Sequence, residues 1–314
     1  MKNFYVTVLV LLVLGFYTSS SYAQQDAQYT QYMYNTLSVN PAYAGSRDVL
    51  SFVGLYRTQW VGLDGAPRTF TASGHTPLGE HVGLGLNITN DEIFITHETY
   101  IDASFSYTLD VSEKGQLAFG LKAGVHLLDV AFDELSPFNS GDTQADAQAN
   151  IDNKFSPQFG AGAYYYTDKF YLGLSAPNFI ETEHFDESSN SSNGFSTAKE
   201  RINYYLMSGY RFDLSETLKF KPAFLIKMVE GAPLQADLSA NFLIYDKFTI
   251  GAAYRWSAAL SGMIGFQLTD QMMLGFAYDR ETTELQQYND GSFEFFLRYE
   301  LFKKQDRLIS PRFF

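Results

Sequence analysis

The feature that most limits what this chain can fold into is an alternation of apolar and polar side chains with a period of two. It recurs in segments of about ten residues, a length typical of strands in outer-membrane barrels, from Val49 nearly to the C-terminus. In Leu234–Phe242, every even position is apolar and every odd position can form hydrogen bonds. Because successive side chains of a strand point to opposite faces, the pattern predicts strands with one apolar face and one hydrated face.

Composition excludes several other classes of protein. The chain of 314 residues holds 28 Phe, 22 Tyr and 24 Gly but no Cys, so disulfides, thiolate nucleophiles and thiolate metal sites are ruled out. The mean hydropathy of -0.16 and the lack of a second long apolar run argue against a bundle of membrane helices. With a net charge of -13, the chain lacks the excess of basic residues that is typical of nucleic-acid-binding proteins, so no nucleic-acid partner is expected.

The first 23 residues have the pattern of a secretory signal peptide. Lys2 precedes an apolar stretch from Phe4 to Tyr17, and small residues precede a predicted cut after Ala23. The apolar stretch is too short to span a bilayer. We therefore expect a signal peptide at 1–23, an N-terminal segment at 24–48 and a β-barrel at 49–314.

The predicted fold is an all-β, antiparallel, up-and-down transmembrane barrel of about fourteen strands, an even number as single-chain outer-membrane barrels require. The strands are expected at 49–59, 68–77, 81–90, 97–110, 115–128, 156–167, 169–177, 200–213, 217–228, 233–245, 247–256, 259–269, 271–280 and 291–302.

The connections between these strands alternate in length. Brief turns alternate with connections at 60–67, 91–96, 129–155, 178–199, 229–232, 257–258 and 281–290. Four of these seven are long or fairly long, including the acidic loops at 129–155 and 178–199. Membrane barrels have short periplasmic turns and longer outer loops, so the long loops are expected to face outward. Aromatic residues near segment ends, such as Tyr164–Tyr166, Tyr204–Tyr205 and Phe293–Phe296, suggest interfacial girdles.

The N-terminal segment is not expected to belong to the barrel wall. Pro41 lacks an N–H group and Gly45 permits a sharp change of direction just before the first strand. We expect the segment to fold into the lumen or across the periplasmic mouth, with its tyrosines packing against inward residues: Tyr29, Tyr32, Tyr34 and Tyr43. A disordered periplasmic tail is the alternative.

Polar positions on the predicted inner face include Gln235, Asp237 and Asn241. In a channel they would line water and tune selectivity, and in a closed barrel they would pair across the lumen. Both arrangements are compatible with about fourteen strands.

No motif indicates catalysis, a cofactor or a metal. The five histidines are scattered, and neither HExxH nor GxSxG occurs. Asp142, Asp146 and Asp152 could offer oxygen ligands to Ca²⁺, but the EF-hand spacing is absent, which favours a solvated acidic loop. The chain is therefore expected not to be an enzyme and to need no cofactor.

Several short motifs resemble those of the PorP/SprF family, outer-membrane proteins of the type IX secretion and gliding-motility apparatus. The match begins with Gln28–Asn35 and the string Asn40-Pro41-Ala42-Tyr43-Ala44-Gly45, and ends with Ser310–Phe314. One departure is Phe293, where the family commonly has His. The residues that carry the resemblance and are candidates for interaction are Asn40, Pro41, Tyr43, Gly45, Arg57, Trp60, Pro67, Asp279, Gly291 and Glu294.

The resemblance implies an outer-membrane barrel that works with type IX translocon components. It implies support for export or surface attachment of a specific secreted protein such as a large adhesin, and contact with a periplasmic peptidoglycan-binding lipoprotein. Outer-membrane lipid would surround the wall. The alternative is a porin or a FadL-like transporter of small solutes or fatty acids, and a barrel hydrolase ranks below both.

Overall fold

The structure is a computed structural model that describes residues 28–134, 150–180 and 201–301. The predicted signal peptide, Asp142, Asp146 and the C-terminal motif Ser310–Phe314 lie outside the described residues. The strands are β1 (Leu50–Thr58), β2 (Arg68–Leu78), β3 (Val82–Ile93), β4 (Thr96–Asp110), β5 (Gln116–Val130), β6 (Ile151–Tyr166), β7 (Phe170–Ala176), β8 (Asn203–Tyr210), β9 (Phe212–Asp213), β10 (Leu218–Val229), β11 (Gln235–Ile244), β12 (Phe248–Arg255), β13 (Ala259–Gln267), β14 (Met272–Glu281) and β15 (Ser292–Leu301).

These strands form one closed antiparallel barrel. Strands β8 and β9 are interrupted only at Arg211 and both pair with β10, so together they make one strand of the wall. The last strand, β15, pairs with β1 in a register that runs from Leu50↔Leu301 to Thr58↔Phe293. The predicted fourteen-stranded, up-and-down barrel is confirmed. Among the described residues, no helix has the length and apolar character needed to cross a membrane.

The two faces of the wall have the polarity expected in a membrane. Leu86 and Leu121 are each 64% exposed on the outer face, whereas the next residues along the chain, Asn87 and Lys122, are buried on the inner face. A soluble protein would bury the leucines and expose the amide and the ammonium. The inversion places apolar side chains against lipid and polar ones in the lumen.

The connections longer than five residues all lie at the same end of the barrel. The end with brief turns, here the short-turn end, has the connections 79–81, 111–115, 167–169, 214–217, 245–247 and 268–271. The opposite end, here the long-loop end, has the connections 59–67, 94–95, 131–150, 177–202, 230–234, 256–258 and 282–291.

Two local predictions were wrong. The loop expected at 91–96 is a tight hairpin at 94–95, because Asp91 points into the lumen and accepts a hydrogen bond from Thr69 (Oγ1 to Oδ1, 2.6 Å). The aromatic runs do not lie wholly in girdles. Tyr164, Tyr205 and Phe296 are buried inside the barrel, as the alternation of a strand requires, while their neighbours face outward.

The core of the molecule is the N-terminal segment, residues 28–48, which lies inside the barrel. It consists of three short turns, Tyr32–Tyr34, Thr36–Val39 and Pro41–Tyr43. Its apolar side chains are buried in one cluster with inward wall residues such as Leu55 and Met207. The lumen is thus packed with protein along the path of this segment.

Candidate functional site

The end of the N-terminal segment lies directly against glycines of the wall. A Cβ atom added at Gly120 would lie 2.1 Å from the backbone nitrogen of Ala42, and one added at Gly83 would lie 2.2 Å from the carbonyl oxygen of Ala44. Such distances are far inside van der Waals contact. Glycine at these wall positions therefore permits the backbone of the segment to approach the sheet.

Asn40 fixes the beginning of this contact. Its side-chain oxygen accepts a hydrogen bond from the Ala42 N–H (3.0 Å), and its amide nitrogen donates to the carbonyl oxygen of Ala163 in β6 (3.1 Å). Pro41 occupies the first position of the turn Pro41–Tyr43, where a missing N–H costs nothing. One side chain thus caps the turn and ties it to the wall.

Tyr43 and Gly45 complete the turn. The Tyr43 ring meets His75 and Tyr164 edge-on, with ring centroids 5.3 and 5.5 Å apart. Gly45 has a φ of +75°, a conformation that other residues rarely adopt, and its N–H donates to Nδ1 of His75 (3.1 Å). The chain then turns into β1.

A buried ion cluster holds the beginning of the segment. Arg57 of β1 pairs with Asp279 of β14 (Nη2 to Oδ2, 2.7 Å) and with Glu294 of β15 (Nη1 to Oε2, 3.0 Å). All three side chains are at most 2% exposed. We call this set of three residues the Arg57 cluster.

The cluster binds the N-terminal segment through Thr30 and Gln31. The Glu294 carboxylate accepts the N–H groups of Thr30 (2.9 Å) and Gln31 (2.7 Å), one on each oxygen. Asp279 accepts the Thr30 hydroxyl (2.6 Å). Arg57 is shared by two carboxylates, and that of Glu294 is stabilised further by backbone N–H donors instead of a second cation. Hydrogen bonds to an ionised group are stronger than those between neutral groups.

Tyr29 adds a neutral anchor beside the cluster. Its hydroxyl shares a hydrogen bond with the Thr71 hydroxyl (2.8 Å). Burial raises the pKa of Tyr29 to about 12, so the phenol stays protonated under ordinary conditions.

Trp60, Pro67 and Gly291 lie at the long-loop end, in the connections 59–67 and 282–291. The Trp60 indole donates to Glu281 (Nε1 to Oε1, 3.0 Å), and the carbonyl oxygen of Gly291 accepts the Val61 N–H (2.9 Å). The carbonyl oxygen of Pro67 accepts the Gln59 N–H (2.9 Å). These residues order the rim next to the Arg57 cluster.

Comparison with known proteins assigns the chain to a family. The family model "Type IX secretion system membrane protein PorP/SprF" matches residues 21–299. The chain belongs to the PorP/SprF family. It is accordingly an outer-membrane protein of the type IX secretion system, associated with components of that system. No curated protein sequence matches it.

Solved structures similar to this PorP/SprF barrel have low sequence identity to it. The CymD monoaromatic hydrocarbon channel has a TM-score of 0.50 and 12% identity, with 91% of this chain and 95% of that chain covered. The Ralstonia pickettii toluene transporter TbuX has a TM-score of 0.48 and 10% identity over 84% and 92%. The Acinetobacter baumannii outer membrane protein Omp33 has a TM-score of 0.47 and 9% identity over 81% and 99%.

The residues predicted to face the lumen occupy the inner side of β11. Gln235 accepts a hydrogen bond from Gln28 of the N-terminal segment (Nε2 to Oε1, 2.9 Å), and Asp237 pairs with Arg255 (2.8 Å). Asn241 is 1% exposed, and a Cβ at Gly251 would lie 2.0 Å from its side-chain oxygen. They do not join the Arg57 cluster.

Sequence reasoning overlooked several residues that hold the PorP/SprF segment in place. Thr30 and Gln31 contact the Arg57 cluster, and Arg47 pairs with Glu300 and so holds the other end of the segment to β15. Glu300 could have been found, because it lies in phase with Glu294 on a strand of period two and must face the same side.

The arrangement binds a piece of the chain itself. Among the described residues, no group of three or more His, Cys, Asp or Glu side chains could hold a metal ion. In the Arg57 cluster every carboxylate is engaged by Arg57 or by the N-terminal segment. The chemistry that the site supplies is the recognition of backbone N–H groups by buried carboxylates.

Proposed function

We propose that this barrel supports the export or surface attachment of a particular secreted protein, such as a large adhesin, as a partner of the type IX translocon. Membership of the PorP/SprF family supports the link to secretion. The observation that carries the proposal is the N-terminal segment inside the lumen, held at one end by the Arg57 cluster and at the other by Arg47 and Glu300.

An occupied lumen favours a binding role over conduction. A porin uses its lumen as an aqueous path, whereas here buried side chains such as Tyr32, Met33 and Leu37 occupy it, each at most 3% exposed. We infer that the cargo does not pass through this barrel. Its long-loop end would meet the secreted protein, and its short-turn end would meet translocon components or a periplasmic peptidoglycan-binding lipoprotein.

Deletion of the gene, followed by comparison of the cell-surface and culture-medium proteomes, tests the proposal. We expect one or a few large secreted proteins to disappear from the surface and to accumulate inside the cell or in the medium. Complementation with the unaltered gene should restore them. If the two proteomes are unchanged in a strain that lacks every paralogue, the secretion role is refuted.

A substitution of Trp60 in the rim offers a sharper version of the test. Trp60→Phe removes the indole N–H that binds Glu281 and so loosens the rim without touching the Arg57 cluster. Loss of surface display with a normally folded barrel would place cargo contact at the long-loop end. The matched control is Trp256→Phe, since Trp256 is 65% exposed in a different connection.

A further inference from the structure

Buried basic side chains accumulate in the lumen at the short-turn end. Arg47, Arg211, Lys221 and Arg298 are each at most 8% exposed, although the chain as a whole carries a net charge of -13. Glu300 pairs with Arg47 and lies 3.7 Å from Arg298 (Oε1 to Nε). Asp213, which pairs with Arg211, is 35% exposed at the rim. Positive charge therefore exceeds negative charge among these buried groups.

Their position is fixed by the adjacent turns. The backbone N–H of Arg211 donates to the carbonyl oxygen of Lys169 (2.7 Å). The backbone N–H of Glu300 donates to the carbonyl oxygen of Gln271 (2.8 Å). Lys221 lies within electrostatic reach of Arg47, Arg211 and Arg298. The cations thus come from the N-terminal segment and from separate wall strands, and they meet in one region.

Each of the three guanidinium groups has a nitrogen without an acceptor. Nη1 of Arg47, of Arg211 and of Arg298 is buried without a hydrogen-bond partner. Nη2 of Arg298 has only the Met273 sulfur at 3.3 Å, a weak acceptor. A buried hydrogen-bond donor without an acceptor is costly, so native proteins usually satisfy such donors.

We propose that Arg47 and Arg298, together with Lys221, form a lumenal binding site for a phosphate group. Guanidinium groups present paired N–H donors that match the oxygens of phosphate, and the Lys221 ammonium supplies a further donor from another strand. A bound phosphate would bridge Arg47 of the N-terminal segment to Arg298 of β15. The site is independent of the proposed role in secretion.

Phosphate binding can be measured on the full chain purified in detergent and phosphate-free buffer. We expect inorganic phosphate, compared with chloride at equal ionic strength, to raise the unfolding temperature in a saturable manner, or the protein to retain phosphorus through purification. Arg298→Gln should weaken the apparent affinity at least tenfold or remove the retained phosphorus. Arg280→Gln, which alters an exposed arginine at the long-loop end of β14, is the matched control and should change neither.

The same measurements can overturn the proposal. A wild-type protein that neither retains phosphorus nor responds to phosphate refutes it, as does an Arg298→Gln variant equal to wild type. If Arg298→Gln does not fold, Lys221→Gln and Arg298→Lys are measured instead. An affinity for phosphate that is unchanged in both variants also refutes the proposal. Extraction of the denatured protein then identifies the source, because lipid-bound phosphorus enters chloroform whereas free phosphate stays in water.

Discussion

Replacing Glu294 by Gln should release the N-terminal segment while the barrel wall stays folded. The substitution keeps the shape of the side chain but removes its charge, and its amide nitrogen cannot accept the N–H of Thr30 or Gln31. Arg57 keeps Asp279 at 2.7 Å, so one ion pair survives.

The expected magnitude follows from these contacts. Breaking a buried ion pair costs about 3–5 kcal/mol, and the surviving pair with Asp279 places this case at about 3 kcal/mol. Since 1.4 kcal/mol corresponds to a factor of ten in a population, the released state should become about 100-fold more populated.

A single cysteine reports on that population, because the chain has none of its own. Val39 lies in the segment and is 6% exposed, so the thiol of Val39→Cys should react with a polar maleimide only after the segment is released. We expect labelling to be about 100-fold faster when Glu294→Gln is added. Glu281→Gln, an identical change at the rim, is the control. Equal labelling rates for Val39→Cys with and without Glu294→Gln would refute the idea that the Arg57 cluster retains the segment.

Three further predictions concern the same segment. Gly120→Ala should destabilise it by about 1–3 kcal/mol through overpacking against Ala42, whereas Gly54→Ala, with no atom within 4 Å, should be neutral in thermal unfolding. Burial raises the pKa of Tyr29 to about 12, against about 10 in the unfolded chain. The stability that Tyr29 contributes is therefore complete below pH 10 and is lost as the pH rises through 12. A tyrosinate absorbance titration of the folded and the unfolded protein measures the two pKa values. Deleting residues 24–45 should raise conductance in planar bilayers, and unchanged conductance would contradict a plug.

The strands could be predicted from sequence because membrane and lumen impose opposite demands on alternate residues. Leu234–Phe242 shows this directly, since its apolar positions face lipid and its polar positions face the N-terminal segment or wall charges. The same rule failed at 91–96, which was taken for a connection although residues 91–93 continue β3. Asp91 is polar because it faces the lumen at the end of a strand, and composition alone does not distinguish the two cases.

The Arg57 cluster could be predicted only in part. Arg57, Asp279 and Glu294 each stood in a family motif, but their contact depends on the register in which the last strand meets the first, which pairs Arg57 with Glu294. That register arises from closure of the whole sheet, and no local pattern encodes it. Thr30 and Gln31 were missed because their backbone N–H groups, which any residue other than proline carries, make the decisive contacts.

The position of the cluster couples closure of the barrel to the placement of the N-terminal segment. Arg57 and Glu294 are partners across the seam between β1 and β15, so the cluster forms only when the ring closes. The segment precedes β1 in the chain and is enclosed by the same ring, which means that it must be inside before the seam is complete. Glu294 would then offer its carboxylate to Thr30 and Gln31 at the moment of closure. Glu294→Gln should therefore slow the appearance of the compact, heat-modifiable form during refolding into detergent, whereas Glu281→Gln should not.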